Sequence, residues 1–285
     1  MKLGVGAVVV LLFGLGQATA APTLLNRGAH KPQRIKSLTV CTDELLMDLA
    51  SPSRIASISY LSQERAALKL WPEAAHLPVN HNSAEEILAE KPDLVLTLVY
   101  ASTALKPLLE KSGIRILEVP EAENFDQIRA TTRMVGEAIG ERARADQLIA
   151  HMDSILRDLA AHKPRKAIRV ADWGGGGQIP GRDSLFGAVL EPAGGKTIAD
   201  KGGYYDVESL VAAKPDVLAF ADHYLDMPSL RRDQNDHPLL MKLFGSRRIV
   251  YPALYFGCGT PQSATAAVAL RGELLKAMAK PGGVP

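Results

Sequence analysis

From residue 34 to residue 279, short apolar runs alternate with longer stretches whose apolar positions recur at helical spacing. Residues 34–39 (RIKSLT) read as a strand, and residues 42–50 as a helix for which Thr42 is a suitable cap. Residues 54–59 form a second short strand. Ser83-Ala84-Glu85-Glu86 has the form of a capping box opening a helix through Glu90. Pro92 ends that helix. Residues 93–99 (DLVLTLV) are nearly continuous in β-formers, the pattern of a strand covered on both faces. A helix over 103–111, closed by Gly113, and a strand over 114–119 complete the group. Strands separated by helices imply a parallel, doubly wound sheet.

Residues 124–160 break this rhythm with continuous helical signals interrupted only at Gly140. In their second half Leu148, Met152, Ile155 and Leu159 recur at i, i+4, i+7 and i+11, one apolar stripe on an otherwise charged helix. Pro164 stops it. The alternation then resumes: a strand over 167–171, a glycine-rich loop, helices opening at Ser184 and Asp206, strands over 216–220 and 248–251, and a helix over 263–279. The pattern gives two α/β lobes, residues 34–140 and 164–285, joined by a long helix over 141–163. Residues 21–33 are a loose polar lead-in.

An internal echo fits two related lobes. SAEEILAEKPDL (83–94) aligns without gaps on DVESLVAAKPDV (206–217), matching Glu85 with Glu208 and Lys91-Pro92-Asp93 with Lys214-Pro215-Asp216. Each copy reads as a capped helix, a proline stop and a buried strand, although helix–KPD–strand is also a common α/β junction.

The first residues bear on where the chain works. Lys2 is a positive start, residues 3–16 are apolar, and Ala18-Thr19-Ala20 is an A-x-A cleavage signature. A secretory signal peptide cleaved after Ala20 is expected, placing residues 21–285 outside the cytoplasm. The apolar run is short and glycine-interrupted for a transmembrane span, and no Cys near the cleavage site offers a lipid anchor. Charge is nearly balanced, 33 Lys and Arg against 31 Asp and Glu with no basic stripe, which argues against nucleic acid as a partner. Two Cys are too few for a disulfide scaffold. There is no G-x-S-x-G elbow and no zinc-like His/Cys spacing. Gly174 to Gly177 follow a strand but form no G-x-G-x-x-G or P-loop signature. They suit close approach of backbone to a bulky ligand, or φ > 0. No protein cofactor is expected.

RIKSLTVCTDELLMDLA, AEEILAEKPDLVL, the GERARADQLIAHMD helix with Gly136 and Gly140, and PGRDSLFGAVLEPAGG followed by VESLVAAKPDVL resemble the class III periplasmic binding proteins. That family holds vitamin B12 and iron–siderophore carriers of ABC importers. The resemblance runs from about residue 34 to about residue 278. It implies two Rossmann-like lobes with parallel sheets, one rigid connecting helix, and a ligand cleft between the lobes. It further implies capture of a corrinoid, haem or ferric siderophore, without turnover, by a monomeric carrier that delivers it to an inner-membrane permease. In that family a surface glutamate on each lobe docks on the permease; the matching residues are Glu85 and Glu208.

In open parallel sheets ligands sit outside the carboxyl ends of the strands. That rule selects Cys41, Thr42, Tyr60, His81 and Tyr100 from the first lobe. From the second it selects Trp173, Gly174, Gly175, Arg182, His223, Tyr224, Tyr255 and Cys258. Aromatic faces stack on planar macrocycles or catechols. Arg182 offers a planar fork to a carboxylate or phosphate, and His81 or His223 an imidazole to a chelated metal. Each has an ordinary alternative as a packing or surface residue. Cys41 and Cys258 are expected on opposite cleft walls and unbridged in the open state, because a cleft wide enough for a corrinoid holds them apart. A disulfide is the second reading; without a bridge the two could be buried packing residues or offer thiolates to a metal chelate. The rival function is a secreted metal- or thiol-dependent enzyme on the same two lobes.

Overall fold

The structure, a computed structural model, describes residues 31–173, 176–222 and 235–280. The expected signal peptide lies outside the described residues. In the first lobe β1 (Ile35–Ser37), β2 (Ile55–Ser59), β3 (Val79–Asn80), β4 (Leu94–Leu98) and β5 (Arg115–Val119) pair in the order β3-β2-β1-β4-β5. In the second, β6 (Ile168–Asp172), β8 (Gly195–Thr197), β10 (Val217–Ala221) and β11 (Arg248–Tyr251) pair in the order β11-β10-β6-β8. All these pairings are parallel, so each strand returns through a crossover. β7 (Gln178–Ile179) and β9 (Gly203–Tyr204) form a separate antiparallel ribbon. The runs over 93–99 and 216–220 became β4 and β10, in which every residue is buried, as helices on both faces require.

The echo is structural. β2-β1-β4-β5 and β8-β6-β10-β11 follow the same order, and the KPD segments do the same work in each. After α3 (Ala84–Glu90) and α8 (Val207–Ala212), Lys91 and Lys214 adopt left-handed backbone at φ 48° and 49°, reversing the chain before proline. The Asp93 carboxylate then accepts the backbone N–H of Gln33 (2.7 Å) and Arg34 (3.0 Å), and the Asp216 carboxylate that of Arg169 (2.8 Å). Arg34 donates to the Glu90 carbonyl and Arg169 to the aligned Ala213 carbonyl, closing each helix end. One Asp and one Arg thus clamp helix, proline and central strand together in both lobes.

Two caps differ from expectation. α1 (Val40–Leu49) is capped by Thr39, whose hydroxyl accepts from the Thr42 N–H, while Thr42 lies inside the first turn. The Ser83 hydroxyl caps α3 by accepting from Glu86 N–H (3.1 Å), but the Glu86 carboxylate turns away to His81 instead of completing the box. Asp206 and Ser209 do form a reciprocal box on α8.

The chain joins the lobes through a helical hairpin. α5 (Phe125–Ala138) starts against the second lobe's core, through Phe125 and Ile128, and ends in the first lobe's core, through Val135. Gly140, at φ 72°, turns it into α6 (Arg142–Ala161), and Gly136 lets the helices touch: a Cβ there would lie 2.5 Å from that of Ala145. α6 buries Ala145 in the first lobe and Ile149, Met152 and Leu159 in the second. Its core face is thus turned by about one residue from the expected stripe, leaving Leu148 and Ile155 partly buried. Arg54 fixes the hairpin tip to the first lobe, pairing with Glu141 (2.6 Å) and donating to the Ile139 carbonyl (2.6 Å). With α7 (Leu185–Leu190), α9 (Pro238–Phe244), α10 (Leu254–Gly257) and α11 (Ser263–Ala279) in place, Arg271 of α11 fixes the far end, donating to the Leu159 carbonyl (2.7 Å).

Candidate functional site

The carboxyl ends of β2, β3 and β4 carry the first lobe's exposed aromatic groups. The turn Tyr60–Gln63 presents Tyr60, and the residue after β3 is His81; their rings stack with centroids 5.2 Å apart. His81 Nδ1 lies 3.1 Å from Glu86 Oε1, and its backbone N–H donates to Glu86 Oε2 at 2.8 Å. The hydrogen bonds from His81 hold the Glu86 carboxyl below its usual range. Because a carboxylate only accepts, Nδ1–H points at Glu86 and Nε2 is the ring nitrogen turned away from it, the one placed to meet a metal. Tyr100, after β4, is 65% exposed. Asn80 is wholly buried, its amide donating to the Ser37 and Ile58 carbonyls and so tying strand ends together.

Other expected ligand contacts are placed differently. Thr42 is buried, its hydroxyl held by Ser37 and Thr39. Trp173 is 1% exposed, packed with Ile179, Leu210 and Phe220. Burial removes both from the surface a ligand would meet. Arg182 is exposed but its guanidinium pairs with Asp200, and it borders a cavity of about 560 Å³ beside β8. Gly174, Gly175, His223 and Tyr224 lie outside the described residues. Among the described residues no group of three or more His, Cys, Asp or Glu side chains is disposed to hold a metal ion.

Cys41 and Cys258 form a disulfide, with Cα atoms 5.0 Å apart, which overturns the expectation that they stay unbridged. The strand-end rule misplaced them. Cys41 sits in the first turn of α1 and Cys258 caps α10, and both turn inward to a seam where the lobes meet, not to opposite cleft walls. The residues after Cys258 run along one face of α1. Thr260 donates its hydroxyl to Glu44 (2.6 Å), and Gln262 reaches Asp48 (3.5 Å). Cys41, Glu44 and Asp48, spaced i, i+3 and i+7, thus share one helix face. Burial pushes the Glu44 carboxyl well above its ordinary range, the Thr260 hydroxyl pulls it back, and the Asp48 charge adds to the rise. Burial raises Asp48 too. Tyr255 belongs to this seam: partial burial, then the charges of Glu44 and Asp48, raise its phenol. These seam residues carry no obvious sequence motif; only the helical spacing of Cys41, Glu44 and Asp48 could have linked them.

Two parallel α/β lobes with a helical connection, and exposed aromatics at the first lobe's strand ends, give the two-lobed fold expected of a class III periplasmic binding protein. A family model for periplasmic binding proteins matches residues 37–239, and the chain belongs to that family. It is 29% identical over 133 residues to the ABC transporter substrate-binding lipoprotein YvrC of Bacillus subtilis (strain 168), a match spanning 45% of this chain and 41% of that protein. Its fold is similar to the periplasmic heme-binding protein RhuT from Roseiflexus sp. RS-1 (TM-score 0.70, 22% identity, 86% of this chain and 99% of that one). It is also similar to the heme-binding protein HutB of Vibrio cholerae (TM-score 0.71, 16% identity, 85% and 98%). The vitamin B12 binding protein BtuF of Vibrio cholerae is similar as well (TM-score 0.65, 16% identity, 88% and 99%). Among the described residues no helix is long and apolar enough to cross a membrane.

Proposed function

We propose that the protein captures a metal-centred planar ligand, haem first and a corrinoid or ferric siderophore next, and delivers it to an ABC permease of the inner membrane. The observation that carries this is the His81 constellation. A ring stacked on Tyr60 and oriented by Glu86 offers a preset nitrogen donor, and haem brings its own chelated iron, so no multi-residue metal site is needed. Heme-binding and B12-binding proteins among the similar folds support the ligand class. Delivery rests on Glu85 and Glu208, both exposed in the first turns of α3 and α8 at aligned positions. Export behind a signal peptide cleaved after Ala20 and action as a monomer belong to the same reading. The thiol-enzyme alternative loses its nucleophile, because Cys41 is disulfide-bonded.

The test is spectroscopic titration of the purified protein with haemin, cyanocobalamin and a ferric tris-catecholate. Haemin should bind with a shifted Soret band, and Glu86→Gln should weaken it by about tenfold or more, as loss of an orienting carboxylate does. Binding of cyanocobalamin or the catecholate alone would overturn the haem assignment. Binding of none would overturn the ligand class.

A further inference from the structure

We propose that the free edge of β8 is a docking slot for an extended, acidic segment of a partner protein, which adds to the second sheet as a further strand. The lobes share the orders β2-β1-β4-β5 and β8-β6-β10-β11, so β8 stands where β2 stands in the first lobe. There β3 covers the outer edge of β2, pairing Val79 with Ile58 and Asn80 with Ser59. In the aligned echo, with Ser83 on Asp206, Asn80 falls on Gly203. Gly203 lies in β9 and pairs with Ile179 of β7. The strand that would cover β8 is thus bound into the ribbon, and β8 ends its sheet.

The uncovered edge has its bonding groups turned outward. β8 is in register with β6 through Ile168 with Gly195 and Val170 with Thr197. Ile168 N–H donates to the Gly194 carbonyl (3.0 Å), and Ile198 N–H donates to the Val170 carbonyl (3.1 Å). Residues 194, 196 and 198 therefore bond inward, and the N–H and C=O groups of Gly195 and Thr197 point away from β6. Such a row is a template for another strand. A cavity of about 560 Å³ lies along it, within the roughly 300–1,000 Å³ of ligand pockets. Gly187 and Glu191 line it from the α7 side of the sheet, Arg169 and Ile198 from the α8 side. The hollow therefore wraps round β8 instead of opening on one face.

Charge selects the occupant. Two cations at the cavity are already paired, Lys163 with Glu191 (3.3 Å) and Arg182 with Asp200. Arg169 and Lys196 stand opposite each other in register, and the Arg169 guanidinium donates to the Ala213 and Lys214 carbonyls, not to a carboxylate. Like charges directly opposite on paired strands are destabilising, and a carboxylate laid beside them relieves this. A second copy of the edge would set its own Lys196 against this one, and an edge lysine also disfavours neutral strands. An acidic strand satisfies both the bonding groups and the charge.

The experiment follows fluorescence anisotropy of a labelled octapeptide alternating valine and glutamate, titrated with the purified protein at low salt. Wild type should bind it and should not bind a valine–lysine octapeptide. Lys196→Glu should weaken the valine–glutamate peptide by about tenfold, as reversal of an interfacial charge does, without lowering the thermal midpoint. Two further peptides carry N-methyl groups on every valine or on every glutamate. The set facing β8 should lose binding by about tenfold or more, through lost hydrogen bonds, and the set facing away should keep it. Equal behaviour of the two methylated peptides overturns strand addition. No binding of the valine–glutamate peptide by wild type, equal binding of the valine–lysine peptide, or unchanged binding by Lys196→Glu overturns the acidic occupant. A wild-type dimer in sedimentation that Lys196→Glu abolishes places a second copy in the slot and overturns the proposal.

Discussion

Replacing Asp43 with asparagine should change how stability depends on pH. Asp43 is buried in α1, and its Oδ2 accepts the Ser59 N–H (3.0 Å) and the Ser62 hydroxyl (2.7 Å). It thereby ties α1 to the turn that carries Tyr60. Burial pushes its carboxyl from 3.8 to about 7, against the opposing pull of the Ser37 and Ser62 hydroxyls and the Ser59 N–H. The folded state therefore holds this proton more tightly than the unfolded chain does. The stabilisation is complete below the unfolded pKa of 3.8 and is lost as pH rises through about 7. At about 1.4 kcal/mol per pH unit, this displacement costs the ionised folded state about 4 kcal/mol. Asparagine keeps an oxygen for Ser59 and Ser62 but cannot ionise. Its NH₂ needs an acceptor, a penalty of about 1–3 kcal/mol where none is met. Asp43→Asn should thus be less stable than wild type near pH 4 and regain up to about 4 kcal/mol relative to it by pH 8. Urea unfolding of both proteins from pH 4 to 9 measures this. Glu44, displaced in the same direction, is present in both and cancels in the comparison. Stability curves that stay parallel across the range would refute the reasoning.

Three further outcomes are expected. The Cys41–Cys258 bond closes a chain separation of 217 residues, worth about 5 kcal/mol in unfolded-chain entropy. Cys41→Ser should therefore lower Tm by about 10 °C or more; a Tm unchanged from wild type, or two free thiols in the oxidised protein, would count against the seam. With hairpin and disulfide both in place, solution scattering should show only a small fall in radius of gyration on ligand addition, small beside that of hinge-bending carriers. Glu85→Lys with Glu208→Lys in one chain should abolish uptake while leaving ligand affinity intact. Stability should fall by only about 0.3–1 kcal/mol per site through the helix dipole, and normal uptake by the double variant would exclude the docking role.

Much of the fold is legible in the sequence because its signals are local. Proline and glycine stops, helix caps and runs of β-formers act within a few residues. The strand at 248–251 and the helix at 263–279 fall where their patterns place them. The echo of Lys-Pro-Asp also survives in full, since each copy needs only its own helix end and the start of the neighbouring strand. The site is less legible. Tyr60, His81 and Tyr100 could be placed from strand ends alone, and all three are exposed there. The strand-end rule gives position along the sheet axis but not which way a side chain turns.

Tertiary packing made those choices. Trp173 and Tyr204 stand at the same end of the second sheet, yet one is buried and the other exposed, because the β7–β9 ribbon closes over the indole. The core face of α6 is set by two lobes at once, which shifts it from the stripe drawn on a single apolar face. The disulfide pairs residues far apart in the chain, and no local pattern brings their Cα atoms within bonding reach. The sequence by itself determined the elements, their alternation and the two-lobed class, because hydrophobic period and turn chemistry are properties of neighbouring residues. Only the tertiary structure decided the seam, the buried acids on α1 and which aromatic faces remain exposed, because burial depends on what the rest of the chain lays over each side chain.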